Sequence, residues 1–160
     1  KNAVPSVRFL LLKGLEDSQF NFSTHKESPK SQSLSENPFA AMAFYWHKAG
    51  RQVRISGSVE EMSRPLIEDY CSKRPRQSQA ATYISRQGQK IEDKTELLKN
   101  FNNCLQNFEG KDIPVPKHWT GFSIIPNEIE FFIYGDHRLN DRFLFTKTLK
   151  NTWDISRLAP

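Results

Sequence analysis

Ile129-Glu-Phe-Phe-Ile-Tyr-Gly-Asp-His-Arg-Leu-Asn-Asp-Arg-Phe-Leu-Phe145 is the stretch on which the fold turns. Ile129, Phe131 and Ile133 recur at every second position, as do Phe143 and Phe145. That is the period of a strand with one face on a core. Gly135-Asp136 is turn chemistry, so residues 129–134 and 139–145 read as two strands joined by a tight connection. Arg138 and Arg142 fall at the start of the second strand, with Asp141 beside the latter. Two planar guanidinium forks on strand ends suit a planar anion. Two surface arginines, one paired with Asp141, are the plainer alternative.

The period of two extends in both directions. Residues 122–125 and 152–157 read as further strands, with turns at Pro126-Asn127 and at residues 148–151. Toward the N-terminus, residues 4–13 read as a strand buried for most of its length, interrupted by Arg8 and ended by Lys13. A turn at residues 14–18 leads to a strand at 20–24, expected to pair back as a hairpin. Residues 39–46 are almost wholly apolar and read as a strand buried on both faces. Residues 52–59 alternate, with Gln52, Arg54 and Ser56 on the polar face. The middle of the chain is helical. Ser28 and Pro29 open a short helix through Glu36. Residues 60–73 form a helix that becomes regular near Ser63, and 77–85 form another. Asp93 caps the third, with Glu96 three residues on and Gly110 at its far end. Roughly eight strands in two blocks around two or three helices define a mainly β, α+β protein, closer to a barrel than to a sandwich. Residues 1–160 read as one domain.

Bulk properties narrow the function. The chain has 160 residues, 37% hydrophobic and 26% charged, with 12 Phe, so it can bury a core and is not a disordered tail. The net charge is +5. Basic residues are interspersed with acids, which argues against a nucleic-acid tail and leaves phosphate pockets open. No apolar run approaches the ~20 residues of a membrane span. Cys71 and Cys104 belong to no CxxC or Cys/His cluster, so they read as buried thiols, no metal site is expected, and cysteine usage fits the cytosol. His25, His47, His118 and His137 are isolated, and no Ser-His-Asp signature, Walker loop or GxGxxG is present. What remains is a scatter of phosphate-grade groups: Arg8, Lys13, Lys30, Arg74, Ser78, Arg138 and Arg142. Either they converge on phosphates or they form a solvated basic surface.

Seven pieces fall in order along nearly the whole chain: Arg8-Phe-Leu-Leu-Leu-Lys13, Arg51-Gln-Val-Arg54, Arg74-Pro-Arg-Gln-Ser-Gln79, Ser85-Arg-Gln87, Trp119-Thr-Gly121, Arg138-Leu-Asn-Asp-Arg142, and Trp153 followed by Arg157-Leu-Ala-Pro160. Together they resemble the pyridoxine (pyridoxamine) 5′-phosphate oxidase family. The resemblance implies an FMN-binding split β-barrel, a homodimer with FMN between its subunits, and oxidation of a phosphorylated pyridine to pyridoxal 5′-phosphate with O2 reduced to hydrogen peroxide. It assigns Arg8, Lys13, Ser23, Thr24, Lys30, Gln52, Gln87, Gly88, Phe132 and Arg142 to the cofactor. It assigns Lys13, Tyr70, Arg74 and Ser78 to the substrate, and Arg138 and Asn140 to substrate and catalysis. Hydride passes directly from substrate to flavin in this family, so no protein nucleophile is expected.

The chain departs from the family's pattern at four of these places. Asn140 stands where His is usual, Phe132 where Trp is usual, Pro29-Lys30 where Arg-Lys is usual, and Gly88 where Ser is usual. Each departure removes a polar contact worth ~1 kcal/mol. A relative that keeps the fold and binds FMN or pyridoxal 5′-phosphate without efficient oxidation is therefore the alternative. The family's first barrel strand and its substrate-covering lid are expected upstream of Lys1, outside this sequence.

Overall fold

The computed structural model describes residues 4–160. Seven strands and four α-helices follow one another: β1 (Gly14–Glu16), β2 (Gln19–His25), α1 (Pro29–Glu36), β3 (Phe39–Trp46), β4 (Arg51–Glu61), α2 (Arg64–Ser72), α3 (Arg76–Ile84), α4 (Lys94–Asn107), β5 (Trp119–Ile133), β6 (Asp141–Lys147) and β7 (Trp153–Leu158). The strands hydrogen-bond in the order β1-β2-β5-β4-β3, and β6 pairs with both β5 and β7. β3 pairs antiparallel with β4, and β6 pairs antiparallel with β5 and β7. This is the mainly β, α+β architecture expected, with seven strands rather than eight, the short helix expected after Ser28, and three helices between the strand blocks.

The differences have local causes. The segment 4–13 forms no strand, and Val4, Val7, Phe9 and Leu11 are exposed. Its apolar run reads as buried only if something covers it, and no other described part of the chain does. The first strand is instead Gly14–Glu16, inside the expected turn. β3 exists at the end of the sheet order, yet Phe39, Tyr45 and Trp46 are exposed, because nothing among the described residues packs over them enough to bury them. Residues 119–133 make one 15-residue strand with no turn at Pro126-Asn127. Proline's fixed φ is compatible with extended chain, and only an amide donor is lost. Gly57 of β4 lets the backbone there approach closely, since a Cβ on it would overlap the carbonyl oxygen of Ile125. The helix expected from residue 60 starts at Arg64, because Glu60 and Glu61 extend β4. Leu139 precedes β6 rather than opening it.

Two compact units divide the residues. The first takes Asn21–Asn37, Glu61–Phe122 and the residues up to Gly14. Its core has two clusters. Met62, Ile67, Cys71 and Trp119 pack with Leu66, Tyr70 and Val115. Ala80, Cys104 and Ile113 pack with Tyr83, Ile84, Phe101, Leu105 and Phe108. Local chemistry fixes its helix ends: Ser28 accepts from the Ser31 amide at the start of α1, and Asp93 accepts from Thr95 at the start of α4. Arg76 donates to the carbonyls of Phe108 and Lys111 just beyond α4. The second unit takes Leu15–Phe20, Pro38–Glu60 and Ser123–Pro160. Ile55, Val59 and Ile124 are buried there. Burying each such side chain contributes ~1.5–3 kcal/mol.

Candidate functional site

In the first unit, the end of β2 and the first turn of α1 build a cluster of donors around a buried cation. Lys30, 6% exposed, donates from Nζ to Thr24 Oγ1 at 2.8 Å and to Gln87 Oε1 at 2.9 Å. Thr24 also donates to Gln87 Oε1 at 3.0 Å and lies 3.2 Å from Ser28 Oγ. Pro29 and Ser28 start α1 here, which is what points Lys30 inward. No carboxylate among the described residues lies within ion-pair distance of the Lys30 ammonium. Burial, and then the charge of Arg8, lower the Lys30 pKa. A buried ammonium with only neutral acceptors is uncompensated, and an anion would complete it. Arg8 is near enough to oppose Lys30 while its own Nη2 donates to Ser6. Ser23 has no side-chain hydrogen bond among the described residues. Gly88 adopts φ +89°, and a Cβ there would sit 3.1 Å from Pro29 Cδ. The residues at two of the four departures thus lie against each other.

The same unit gathers the residues expected at the substrate. Tyr70 Oη accepts from Asn21 Nδ2 at 3.1 Å and lies against Gly14, the neighbour of Lys13. The Lys13 pKa is lowered, first by burial and then by the charge of Arg74. Arg74 sits in the break between α2 and α3, where Pro75 disfavours helix. Its guanidinium lies 5.0 Å from the centroid of the Trp119 ring, and its Nη1 donates to Thr82 Oγ1. Ser78 belongs to the first turn of α3, where its own amide donates to the Pro75 carbonyl at 2.8 Å and the positive end of the helix dipole favours an anion. Lys13, Tyr70 and Arg74 are therefore neighbours, and Ser78 stands one turn along the chain from Arg74.

The second unit holds a different arrangement. Gln52 on β4 donates to Tyr134 Oη at 3.1 Å. Phe132 on β5 faces Arg142 across the strand pair, with the guanidinium 6.0 Å from the ring centroid. Arg142 Nε donates to Glu130 Oε1 at 2.8 Å, and its Nη1 donates to the Ala159 carbonyl at 3.0 Å. Hydrogen bonding to Glu130 raises the Arg142 pKa, so the guanidinium stays charged. The turn before β6 puts His137 at φ 55° and Arg138 at φ 64°, a left-handed conformation that non-glycine residues adopt at a cost. Asn140 accepts from the Gly135 amide at 3.2 Å, folding its side chain onto the same turn. Asp141 pairs with Arg157, not with either arginine of its own stretch.

Glu130 escaped sequence reasoning, although it is the most buried ionised group of the second unit. The signal was its place between the apolar Ile129 and Phe131, on the strand face it shares with Phe132. Tyr134 and Asn21 were missed as well, because neither carries a motif.

The order of strands and the flanking helices are those of the FMN-binding split barrels. The structure superposes with a TM-score of 0.91 on PhzG from Burkholderia lata 383, solved with tetrahydrophenazine-1-carboxylic acid, at 26% identity over 97% of this chain and 75% of that one. It matches a pyridoxamine 5′-phosphate oxidase-related, FMN-binding protein from Nostoc punctiforme with a TM-score of 0.80 and 15% identity over 99% of this chain and 82% of that one, a likeness of fold alone. The chain belongs to the pyridoxine/pyridoxamine 5′-phosphate oxidase family: residues 1–107 match the pyridoxamine 5′-phosphate oxidase model, and residues 119–160 match the C-terminal dimerisation region of pyridoxine 5′-phosphate oxidase. The pyridoxine/pyridoxamine 5′-phosphate oxidase of Pseudoalteromonas atlantica is 44% identical over 98% of this chain and 73% of its own length. That of Nostoc punctiforme is 40% identical over the same shares. No helix among the described residues is long and apolar enough to cross a membrane.

Proposed function

We propose that this protein is an FMN-dependent oxidase that converts pyridoxine or pyridoxamine 5′-phosphate to pyridoxal 5′-phosphate, with O2 reduced to hydrogen peroxide. The observation that carries the reading is Lys30: a buried ammonium without a carboxylate, held by Thr24 and Gln87, at a position the family gives to the cofactor. The donor set fits the phosphate and polyol of FMN. Lys30 and Arg8 supply charge, and Thr24 and Gln87 supply neutral hydrogen bonds. Gln52 and Arg142 face the isoalloxazine in this reading, with Phe132 as a ring beside it, and Ser23 and Gly88 complete the backbone around the cofactor.

FMN, when bound, supplies the two-electron acceptor. The chain's own residues bind and orient. Arg74, Ser78 and the amides of α3 hold the substrate phosphate, with Tyr70 and Lys13 beside them. Arg138 lies against the pyridine ring, where its planar guanidinium stacks and its charge favours an anionic ring oxygen. Asn140 donates or accepts a hydrogen bond but holds no proton charge near neutral pH. Fixing both phosphates sets the distance between donor carbon and acceptor, which is the main source of rate when no side chain reacts covalently. Two copies assemble with FMN between subunits. The match of residues 119–160 to a dimerisation region and the exposed Phe39, Tyr45 and Trp46 of β3 support this assembly.

Purified protein mixed with FMN and freed of excess should be yellow, and anaerobic pyridoxine 5′-phosphate should bleach it. A colourless protein that ignores FMN overturns the reading. A flavin that binds yet stays oxidised favours a binding protein instead, which is the outcome Asn140 would explain, since its side chain is engaged by Gly135. Arg138→Ala should lower turnover at least tenfold with FMN retained, whereas Arg142→Ala should weaken FMN itself. Equal effects of both variants on both properties contradict that division. Size-exclusion chromatography with light scattering should give twice the chain mass.

A further inference from the structure

Glu130 has no part in the roles above, yet it is 5% exposed and both of its carboxylate oxygens are occupied. Oε1 accepts from Arg142 Nε at 2.8 Å, and Oε2 accepts from Arg54 Nη2. Arg142 is held at a second point by the Ala159 carbonyl, 3.0 Å from Nη1. Its Nη2 makes no hydrogen bond among the described residues, and the guanidinium stands 6.0 Å from the Phe132 ring centroid. One edge of the fork is thus pinned to β5 and one nitrogen to the chain's end, leaving Nη2 as the free donor.

We propose that Glu130 is a positioning residue that aims Arg142 at the flavin, with the Ala159 carbonyl as the second point of the clamp. This rests on the FMN reading above. The physical reason is entropic and electrostatic. A free Arg side chain loses rotamer entropy when it is fixed. The clamp imposes that loss during folding, so cofactor binding does not. Burial alone would push the Glu130 carboxyl up, but hydrogen bonds and charge from Arg142 and Arg54 outweigh it and hold the group below its ordinary range. The clamp is therefore ionised across neutral pH. Glu130 is buried and both of its oxygens accept from guanidiniums, so it acts through Arg142. The terminal Arg-Leu-Ala-Pro also gains a purpose: β7 carries Ala159 to within reach of β6.

The test is the FMN dissociation constant, read from quenching of flavin fluorescence, together with the melting temperature of the apoprotein, for the wild type, Glu130→Ala, Glu130→Gln, Arg54→Ala, Arg142→Ala and the Glu130→Ala/Arg142→Ala double variant. Glu130→Ala and Arg142→Ala should each weaken FMN about tenfold or more, as loss of a charge-assisted contact does. The double variant should be no weaker than Arg142→Ala alone, because the two residues act as one. Arg54→Ala, which leaves the Arg142 clamp intact, should change FMN affinity less than about threefold. Glu130→Gln, which keeps an oxygen acceptor, should fall between wild type and Glu130→Ala, and it carries the comparison if the alanine variant does not fold. The proposal is overturned if Glu130→Ala weakens FMN by the same factor in the Arg142→Ala background as in the wild type. It is equally overturned if Arg54→Ala matches Glu130→Ala, or if Glu130→Ala lowers the melting temperature and spares FMN. A wild type that takes up no FMN overturns the flavin reading, and the clamp with it; wild-type binding with an indifferent Glu130 overturns the clamp alone.

Discussion

Lys30 shows how an uncompensated group can mark a binding site. Its ammonium is buried among neutral oxygens, so its burial costs folding free energy that an anion would return on binding. Lys30→Met should therefore leave the apoprotein at least as stable in chemical denaturation while weakening FMN by more than about tenfold, the loss expected for a hydrogen bond to a charged group. Reduced stability with unchanged FMN affinity would give Lys30 a structural role instead. The neighbouring departures, Pro29 and Gly88, are tied to one another by contact. Gly88→Ser restores the hydroxyl usual in the family but forces a side chain to φ +89° with its Cβ 3.1 Å from the Pro29 ring. It should cost about 1–3 kcal/mol of stability and bring no gain in FMN affinity, checked by denaturation and flavin titration on one preparation. The residues around Lys30 were legible only through the family resemblance, because Thr24, Lys30 and Gln87 are separated in sequence and share no pattern. Glu130 was open to direct inspection, as a carboxylate inside an apolar alternation, but nothing in one strand shows which cations lie opposite.

Elements whose signals are local were legible to within a residue or two. Ser28 and Asp93 mark the starts of α1 and α4 as capping side chains, and Pro65 in the first turn marks the start of α2 next to Ser63, since such signals depend only on neighbouring residues. Elements whose state depends on a distant partner were misread. An apolar run reads as buried, yet residues 4–13 lie uncovered and β3 lies at the end of the sheet order. Pro126-Asn127 has the chemistry of a turn, yet β5 runs through it. The chain opposite explains how: Gly57 gives the backbone at Ile125 and Pro126 room that any side chain would fill. Gly57→Ala should accordingly cost about 2–3 kcal/mol, the scale of an overpacked core, although alanine suits a strand at least as well as glycine. A neutral or stabilising result in equilibrium denaturation would mean that β4 and β5 do not approach so closely.

For the molecule as a whole, acid is the condition that links stability to cofactor retention. His25 is 6% exposed, its Nδ1 has no partner, and its ring stacks on His118 at 5.1 Å and meets Trp119 edge-on at 4.9 Å. Burial first, then the charges of His118, Arg86, Lys30 and Arg74, push its pKa down from 6.5 to about 4. His118 is lowered as well, chiefly by burial. A histidine with a depressed folded-state pKa binds its proton more weakly in the native than in the unfolded chain. The unfolded state therefore takes up more protons between pH 6.5 and about 4, and stability falls as pH drops through that window. Glu130, whose pKa is lowered from 4.5, titrates below most of it. The backbone of His25 also anchors the Lys30 cluster: its carbonyl accepts from Ser31 Oγ at 2.7 Å and from the Ser28 amide at 3.1 Å. Acid unfolding takes this anchor apart, so FMN should be released with the acid transition of the chain. His25→Phe keeps the stacked ring and removes the proton. It should flatten the fall of melting temperature between pH 6.5 and 4 and move FMN release to lower pH, measured by circular dichroism and flavin fluorescence on the same samples. An acid limb identical to that of the wild type would assign the loss to other groups.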